Sequence, residues 1–238
     1  MARRAGRSTR SIQRIEESVA TGDETRGVIS TDNWSGGVYD SPPGGPSSGQ
    51  TWTRIETGID VPTIIVPSGS SSSGTYGVSA WIGIDGYTVQ DAMLQTGIDL
   101  VISNGVVSYT AWYDWFPEEG DDIDIEISES DSLTIVLSTV PGTTASLVEF
   151  VNNSTNQERL IALSSPHVLS GQNAEWILEA SDTVTPCNWG TFEFSGAWAS
   201  TSSTTVDATE ASIINLVLNG VTLSSVSLLL HSVWDTYV

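Results

Sequence analysis

The sequence predicts an all-β protein: an antiparallel β-sandwich in one domain, preceded by a flexible N-terminal segment. Three observations predict it. About a quarter of the 238 residues are Ser or Thr and 22 are Gly, a composition that suits short strands and turns better than long helices. Short apolar runs bounded by turn residues recur along most of the chain. A hydrophobic fraction of 39% with 9 Trp supplies enough material for one large core.

Each predicted strand is a short apolar or alternating run that ends at Gly, Pro, Asn, Asp or Ser. In segment 122–128, Ile alternates with Asp and Glu, which is the pattern of a strand with one buried face. Asn104-Gly105 and Asn219-Gly220 predict two-residue hairpin turns. The predicted strands are 51–55, 61–66, 77–84, 97–102, 106–116, 122–128, 132–138, 145–152, 159–163, 174–179, 190–194, 213–218 and 226–230.

Composition divides the chain near residue 30. Six of the eight Arg residues lie within the first 26 positions, and residues 1–30 are basic and polar. This segment is expected to be either a disordered tail or a removable pro-segment whose positive charge opposes an acidic body. Residues 31–238 show no repeat and no second change of composition, so they are predicted to form the single domain.

The body of the chain is strongly acidic. The formal net charge is −21, Lys is absent, and after residue 26 only two Arg face 25 carboxylates. Such a surface repels nucleic acid and anionic membranes, so neither is expected as a partner. A protein with this charge is compatible with either strong brine or acid, and composition alone does not decide between these two environments.

Several kinds of catalytic site are excluded by the residues available. The two histidines, His167 and His231, form no HExxH pair for zinc, no GxSxG nucleophile elbow is present, and a chain without Lys has no P-loop. Cys187 is the single cysteine, and the paired Asp-Thr-Gly or Asp-Ser-Gly loops of aspartic proteases are missing. The acidic residues 121–126 could be read as a calcium cluster, although their alternation favours a solvated strand face. No metal and no cofactor are expected.

What remains is a set of aromatic strand segments that each carry an amide or a carboxylate. Such segments look like the walls of a cleft rather than strand faces turned to water. The segments are matched, in order and spacing, by the motifs of one family, the glutamic peptidases or eqolisins, which this sequence resembles from residue 33 to residue 194. The matching motifs are NWSGGV at 33–38, SAWIGIDG at 79–86, LQTGID at 94–99, YTAWYDWFP at 109–117, QNAEWILE at 172–179 and GTF at 190–192.

The resemblance implies a sandwich of the jelly-roll or concanavalin-like type whose concave sheet holds a Gln/Glu catalytic dyad. Carried over by motif, the Gln is Gln95 and the Glu is Glu175. Glu175 would be the general base that activates water, and Gln95 would donate to the oxyanion. The residues implied to line or brace the site are Trp81, Asp85, Asp99 and Tyr113. The implied activity is that of an acid-acting, pepstatin-insensitive endopeptidase on protein or peptide substrates. A base that is ionised in acid needs a low pKa, so donors to Glu175 are expected.

The sequence also departs from the family pattern. Val89 and Ser170 stand where fungal members often carry cysteines, and Asp114 stands where Glu is common. The resemblance implies a secreted or extracellular monomer, yet no signal peptide is visible at the basic N-terminus. The alternative function is a catalytically inactive sandwich that binds glycan or peptide in the same aromatic cleft. A structural surface module is a third reading, which the motif register disfavours.

Overall fold

The computed structural model describes residues 27–140 and 143–238, and in them the chain forms two packed β-sheets, which confirms the predicted sandwich. The strands, in chain order, are β1 (Val28–Thr31), β2 (Trp34–Tyr39), β3 (Arg54–Asp60), β4 (Thr75–Ile84), β5 (Met93–Ser103), β6 (Val106–Phe116), β7 (Asp121–Asp122), β8 (Ser132–Thr139), β9 (Ala145–Asn152), β10 (Gln157–Ser164), β11 (Ala174–Glu179), β12 (Thr191–Ser200), β13 (Thr205–Asp207), β14 (Ser212–Leu218), β15 (Val221–Thr222), β16 (Ser224–Leu229) and β17 (Ser232–Tyr237). A 3-10 turn, Ala208–Glu210, lies between β13 and β14.

The first sheet has the strand order β1-β14-β2-β11-β4-β5-β6-β7, with β15 attached to β14. The second has the order β10-β9-β8-β3-β12-β17-β16, with β13 attached to β12. All named strand pairs are antiparallel except β1 with β14, which are parallel. Neighbours in space are often distant in sequence: β11, for example, inserts between β2 and β4.

Most predicted strands are present, several of them longer than predicted. β6, β9 and β11 have the predicted bounds, and both Asn-Gly turns adopt the left-handed backbone that this hairpin turn requires. β5 starts four residues before the predicted 97, so it includes Gln95. The sequence prediction missed β1, β2, β13, β15 and β17; in β2, two glycines interrupt the apolar pattern.

Two strand predictions were wrong. The segment 122–128 belongs to a sheet only at Asp122, although Ile123 and Ile125 are buried and the carboxylates between them are exposed. The alternation of this segment therefore reflects burial of every second side chain. Beyond Asp122, the segment has no partner strand. The segment 61–66 likewise forms no strand and contributes one isolated bridge, between Ile65 and Asn188.

The folded domain begins earlier than the composition suggested. β1 pairs with β14 from Val28 onward, so residues 28–30 belong to the first sheet and not to the N-terminal segment. The remainder of the predicted segment, residues 1–26, lies outside the described residues.

Two apolar clusters lie on opposite faces of the first sheet. The larger fills the space between the sheets and includes Trp176, Ile82 and Phe150. The smaller lies on the other face of the first sheet and consists of Trp34, Val38, Trp81, Tyr87, Met93, Trp112, Ile177 and Ile214. We call this second face the outer face; it carries the candidate site.

Candidate active site

Gln95 and Glu175 meet on the outer face because both lie opposite Gly83. Gln95 of β5 pairs with Gly83 of β4 on one side, and Glu175 of β11 pairs with Gly83 on the other. Side chains directly opposite one another in a sheet point to the same face. With Gly83 lacking a side chain, the two functional groups face each other across a gap of two strand spacings, about 10 Å between Cα atoms.

Gln95 is fully buried, and its amide is oriented by Asp114, the residue opposite it on β6. Gln95 Nε2 donates to Asp114 Oδ2 over 3.0 Å. Gln95 Oε1 is buried and has no hydrogen-bond partner among the described residues. The amide nitrogen is therefore held toward the carboxylate, and its second hydrogen is left for another acceptor.

Glu175 is also fully buried, and neither of its carboxyl oxygens has a hydrogen-bond partner among the described residues. Burial raises the pKa of Glu175 well above its ordinary 4.5, and the nearby charge of Asp85 raises it further. The expectation that donors would hold this pKa low was wrong. Nothing described stabilises the charged form, so Glu175 is protonated in acid in this state of the protein.

Asp85 stands at the end of β4 and binds the loop that leads into β11. Its carboxylate accepts four backbone N–H groups: Ser170 at 2.6 Å, Gly171 at 2.9 Å, Gln172 at 2.7 Å and Asn173 at 3.3 Å. Burial raises the pKa of Asp85 while these four donors lower it, and the net shift is upward. Because Asp85 has donors and Glu175 has none, we infer that Asp85 ionises first and Glu175 retains its proton.

Trp81 fills the outer face beside the dyad. Its Nε1 donates to Glu179 Oε2 over 3.0 Å, and its ring meets Trp34 edge-on with centroids 5.0 Å apart. A Cβ on Gly83 would lie 2.8 Å from the Trp81 ring and 3.4 Å from Glu175 Oε2. The glycine therefore leaves room for both the indole and the carboxyl group.

Asp99 lies on the same face as Gln95 but four residues further along β5. It accepts a hydrogen bond from Ser79 Oγ over 2.6 Å, and Ser79 pairs with Glu179 on its other side. Asp99 thus belongs to a second polar row about 13 Å from the dyad, at 3.3 Å per residue. It lines the outer face without touching the dyad.

The prediction that Tyr113 lines the site was wrong. In a strand, neighbouring side chains point to opposite faces, and Asp114 points toward Gln95. Tyr113 consequently packs against the core between the sheets, and its hydroxyl donates to Asp121 Oδ2 over 3.2 Å. The resemblance had marked the right strand and the wrong face.

Three residues at the site were missing from the sequence-based set. Asp114 orients Gln95, Glu179 anchors Trp81, and Asn173 ties the loop before β11 to the loop after β4. Asp114 could have been found from the alternation of β6, because it is in register with Gln95 once the Asn104-Gly105 turn is accepted. The contacts of Glu179 and Asn173 join segments about 85 to 98 residues apart, which periodicity does not predict.

Metal or thiol chemistry finds no support in the part of the chain that the structure describes. It holds no group of three His, Cys, Asp or Glu residues arranged to bind a metal ion, and this includes the acidic residues 121–126. Cys187 is buried, and burial raises its pKa to about 12, so the thiol stays protonated. Among the described residues, no helix is long and apolar enough to cross a membrane.

Comparison with known proteins identifies the family. Residues 32–237 match the Peptidase A4 family. The chain belongs to that family. It is 32% identical over 230 residues to aspergillopepsin-2 of Aspergillus niger, covering 87% of this chain and 77% of the relative. It is 30% identical over 200 residues to scytalidopepsin B of Scytalidium lignicola, covering 79% of this chain and 70% of the relative.

Solved structures of eqolisins share the fold. The crystal structure of scytalido-glutamic peptidase with a peptide-based transition-state analogue matches with a TM-score of 0.72 and 28% identity, over 87% of this chain and 98% of that one. Aspergilloglutamic peptidase from Aspergillus niger matches with a TM-score of 0.64 and 35% identity, over 68% of this chain and 99% of that one. An eqolisin in complex with the tripeptide Ala-Ile-His matches with a TM-score of 0.70.

Proposed function

We propose that this eqolisin hydrolyses internal peptide bonds of proteins or peptides with the dyad of Gln95 and Glu175. One observation carries the proposal: the two side chains lie on one face, opposite the same glycine, with three buried oxygen atoms that have no partner among the described residues. Buried polar atoms without partners are costly, so they mark a place where another polar molecule is expected to bind. The peptide-like ligands of the related structures support a peptide substrate.

In the proposed reaction, Glu175 acts first as a general base and then as a general acid. The carboxylate takes a proton from water while the water oxygen attacks the carbonyl carbon of the peptide bond. Negative charge develops on the carbonyl oxygen, and the free hydrogen of Gln95 Nε2 donates to it. Protonated Glu175 then gives its proton to the leaving nitrogen as the C–N bond breaks, so the enzyme returns to its starting state.

Apart from the general base, which must be ionised to act, two features of the chain are compatible with work in moderate acid. An amide donor is neutral at every pH, so Gln95 needs no titration to stabilise the oxyanion. The described body carries two Arg, so protonation of its carboxylates in acid leaves little positive self-repulsion. We accordingly propose that the protein works outside the cell as a monomer, on peptides and without nucleic acid or membrane partners.

The proposal is tested by peptide hydrolysis with the purified full chain and two dyad variants between pH 3 and pH 6. Glu175→Gln removes the base and is expected to abolish turnover. Gln95→Ala removes the oxyanion donor and is expected to lower kcat by about 10²–10³-fold. Glu149→Gln is the control, because it neutralises a strand carboxyl group on β9 of the other sheet and should retain the parent kcat.

Two further results would separate this function from its alternatives. Chelators, serine reagents, pepstatin and alkylation of Cys187 should all leave the rate unchanged, because none reaches a group that the reaction uses. Turnover near the parent value in folded Glu175→Gln would overturn the dyad. A folded parent chain that binds peptide or glycan at the outer face without cleaving it would favour the inactive binding module.

A further inference from the structure

The side-chain amide of Asn173 is fully buried and hydrogen-bonds to two segments, residues 87–89 and Asp40. Asn173 Oδ1 accepts the backbone N–H groups of Tyr87, Thr88 and Val89 at 3.2, 2.8 and 3.3 Å. Asn173 Nδ2 donates to the backbone oxygen of Asp40 at 2.9 Å and to Thr88 Oγ1 at 2.7 Å. One amide therefore holds the loop after β4, and it also fixes the end of β2.

The loop that contains Asn173 is held in return by the loop it binds. Asp85 accepts the N–H groups of residues 170–173, and the backbone N–H of Asp85 donates to the carbonyl of Asn173 over 3.1 Å. Asp85 has a left-handed backbone with φ of 64°, a conformation that Asp tolerates when side-chain hydrogen bonds support it. We call this exchange between Asp85 and Asn173 the reciprocal clamp.

The two residues of the reciprocal clamp, Asp85 and Asn173, lie close in sequence to Gly83 and Glu175. Gly83 of β4 precedes Asp85 by two residues, and Glu175 of β11 follows Asn173 by two residues. Glu175 itself has no hydrogen bond to a described residue that would hold its carboxyl group. Its position on the outer face is therefore set by packing and by the backbone of β11, which the clamp fixes at the residue just before the strand.

We propose that Asn173 is a positioning residue for Glu175, acting through the reciprocal clamp on the start of β11. The inference rests on the proposed function, because it concerns the placement of that function's general base. Asn173 is not catalytic, since both ends of its amide are used in hydrogen bonds to residues 87–89 and to Asp40. The charged groups near it are Asp85, whose carboxylate accepts its N–H, Asp40, whose carbonyl accepts its amide, and Glu175.

The test compares Asn173→Ala and Asn173→Asp in the full chain with the same substitutions at Asn152. Asn152 is a matched control: it is equally buried, its amide donates to Glu126 O and Asp131 Oδ2, and its Oδ1 accepts two turn N–H groups. It lies on β9 of the second sheet, so loss of its amide should affect stability without moving Glu175.

Asn173→Ala is expected to lower kcat by about 10–100-fold through misplacement of Glu175, with KM changed by less than about threefold, after correction for the folded fraction. Asn152→Ala should lose activity only in proportion to the folded fraction. Amide hydrogen exchange at 87–89 should accelerate in Asn173→Ala, which reports release of the clamp independently of activity.

Asn173→Asp supplies a readout that a merely structural role would not move. A protonated Asp has one donor and one acceptor, so at pH 3 the variant should approach the parent kcat. Ionisation removes the donor and adds a negative charge beside Asp85 and Glu175, so kcat should fall by about tenfold or more toward pH 6 relative to the parent. Asn152→Asp should show no such change in its profile.

The outcomes separate the two claims. An active parent whose kcat is unchanged in Asn173→Ala, or falls only as in Asn152→Ala, would overturn the positioning role alone. A parent chain that does not hydrolyse peptides would overturn the proposed function and this inference with it.

Discussion

Asp114 accepts a hydrogen bond from Gln95 across two neighbouring strands, and this contact fixes the orientation of the Gln95 amide on the outer face. A carboxylate can only accept, so the amide nitrogen must turn toward it. Without Asp114, the amide could rotate and present its oxygen to the oxyanion, which would repel the developing charge. A residue outside the proposed dyad thus determines whether Gln95 can act as a donor.

Replacing Asp114 should therefore lower kcat more than it weakens substrate binding. Leaving a buried polar group without its hydrogen-bond partner costs about 1–3 kcal/mol, so Asp114→Ala should reduce kcat about 10–100-fold. Asp114→Glu keeps the carboxylate and should retain activity within about tenfold. Steady-state kinetics of the two variants measures this, and equal losses in both would indicate that Asp114 contributes size or packing and not orientation.

Gly83→Ala should impair the site although it adds only one methyl group. The added Cβ would lie 2.8 Å from the ring of Trp81, which is buried and held by Glu179. Relief of this overlap must move Trp81 or Glu175, so kcat should fall at least about tenfold, with a stability cost of about 1–3 kcal/mol.

Gly37→Ala is the matched control for that variant. It lies in the same sheet, but its Cβ would point to the other face and meet side-chain atoms of Val233 at 3.3 Å and Leu228 at 3.4 Å. It should cost stability with little effect on kcat. If Gly83→Ala retains the parent kcat, the close packing of Trp81 and Glu175 is not required for turnover.

The pH profile should reveal which proton state of Glu175 is active. If Glu175 is the general base, kcat/KM rises with pH through its pKa, and burial places the midpoint of this rise above pH 4.5. Asp85→Asn removes the nearby negative charge and should shift the midpoint to lower pH, provided that thermal unfolding confirms a folded variant. Activity that falls with pH through the same group would show that Glu175 must instead be protonated to act.

The sequence predicted the sandwich and the dyad for different reasons. The fold followed from local signals, because alternation and Asn-Gly turns act over a few residues and recur along the chain. The pairing of Glu175 with Gly83 joins β11 to β4, about 90 residues away, and local signals do not predict it. Only the family motifs implied that Gln95 and Glu175 act together. Tyr113 shows the limit of a motif: it identifies a segment, whereas the face is decided by strand register.

The electrostatic environment of the dyad could not be predicted from the motifs. The motifs identified Glu175 and Asp85 but contained no information about how deeply their carboxyl groups are buried. Hydrogen-bond donors to Glu175 were expected, and none was found among the described residues. Burial depends on packing of the whole outer face, including Trp34 and Trp112, whose positions come from distant parts of the chain.

A second buried carboxyl group, Asp235, should make the fold most stable in acid. Asp235 lies on β17 of the second sheet, is fully buried, and accepts a hydrogen bond from Ser35 Oγ of β2 in the first sheet. Burial raises its pKa from 3.8 to about 7, although hydrogen bonds from Ser35 and Trp189 oppose the shift.

The raised pKa gives the direction of the pH effect. Below pH 4, Asp235 is protonated in both the folded and unfolded chains and costs nothing. Between about pH 4 and pH 7 the unfolded chain releases the proton and the folded chain keeps it, so the free energy of unfolding falls, by roughly 4 kcal/mol in total.

Asp235→Asn should flatten this dependence and stabilise the fold near pH 7 relative to the parent. Asp60→Asn is the control, because it removes the same formal charge from an exposed position at the end of β3. Urea unfolding at pH 4 and pH 7 measures the effect. A pH dependence that is identical in Asp235→Asn and Asp60→Asn would assign it to general charge repulsion instead.

The charge division near residue 26 suggests that the N-terminal segment controls access to the site, a hypothesis that concerns residues outside the described part of the chain. The position of β1 in the described part shows how far the start of the first sheet lies from the candidate site. β1 begins at Val28, which pairs with Ile213 of β14. Ile213 pairs with Gly37 of β2, and Gly37 pairs with Trp176 of β11, the neighbour of Glu175. Three strand spacings separate β1 from β11, about 14 Å, and 26 residues can span that distance easily.

Charge supplies the attraction and pH should remove it. Arg54 and Arg159, the arginines of the described part, lie on the second sheet. Neither therefore neutralises the carboxylates on the outer face of the first sheet. Near pH 6 ionised carboxylates should hold the six N-terminal arginines, and their protonation below about pH 4 should release them. A chain that begins at Gly27 should therefore exceed the full chain in activity at pH 6 and equal it at pH 3, and high salt should raise the full chain toward it at pH 6. Replacing the six arginines by Gln in the full chain should reproduce the effect of truncation. If the shortened chain folds and matches the full chain at both pH values, the segment is a tail without a regulatory role.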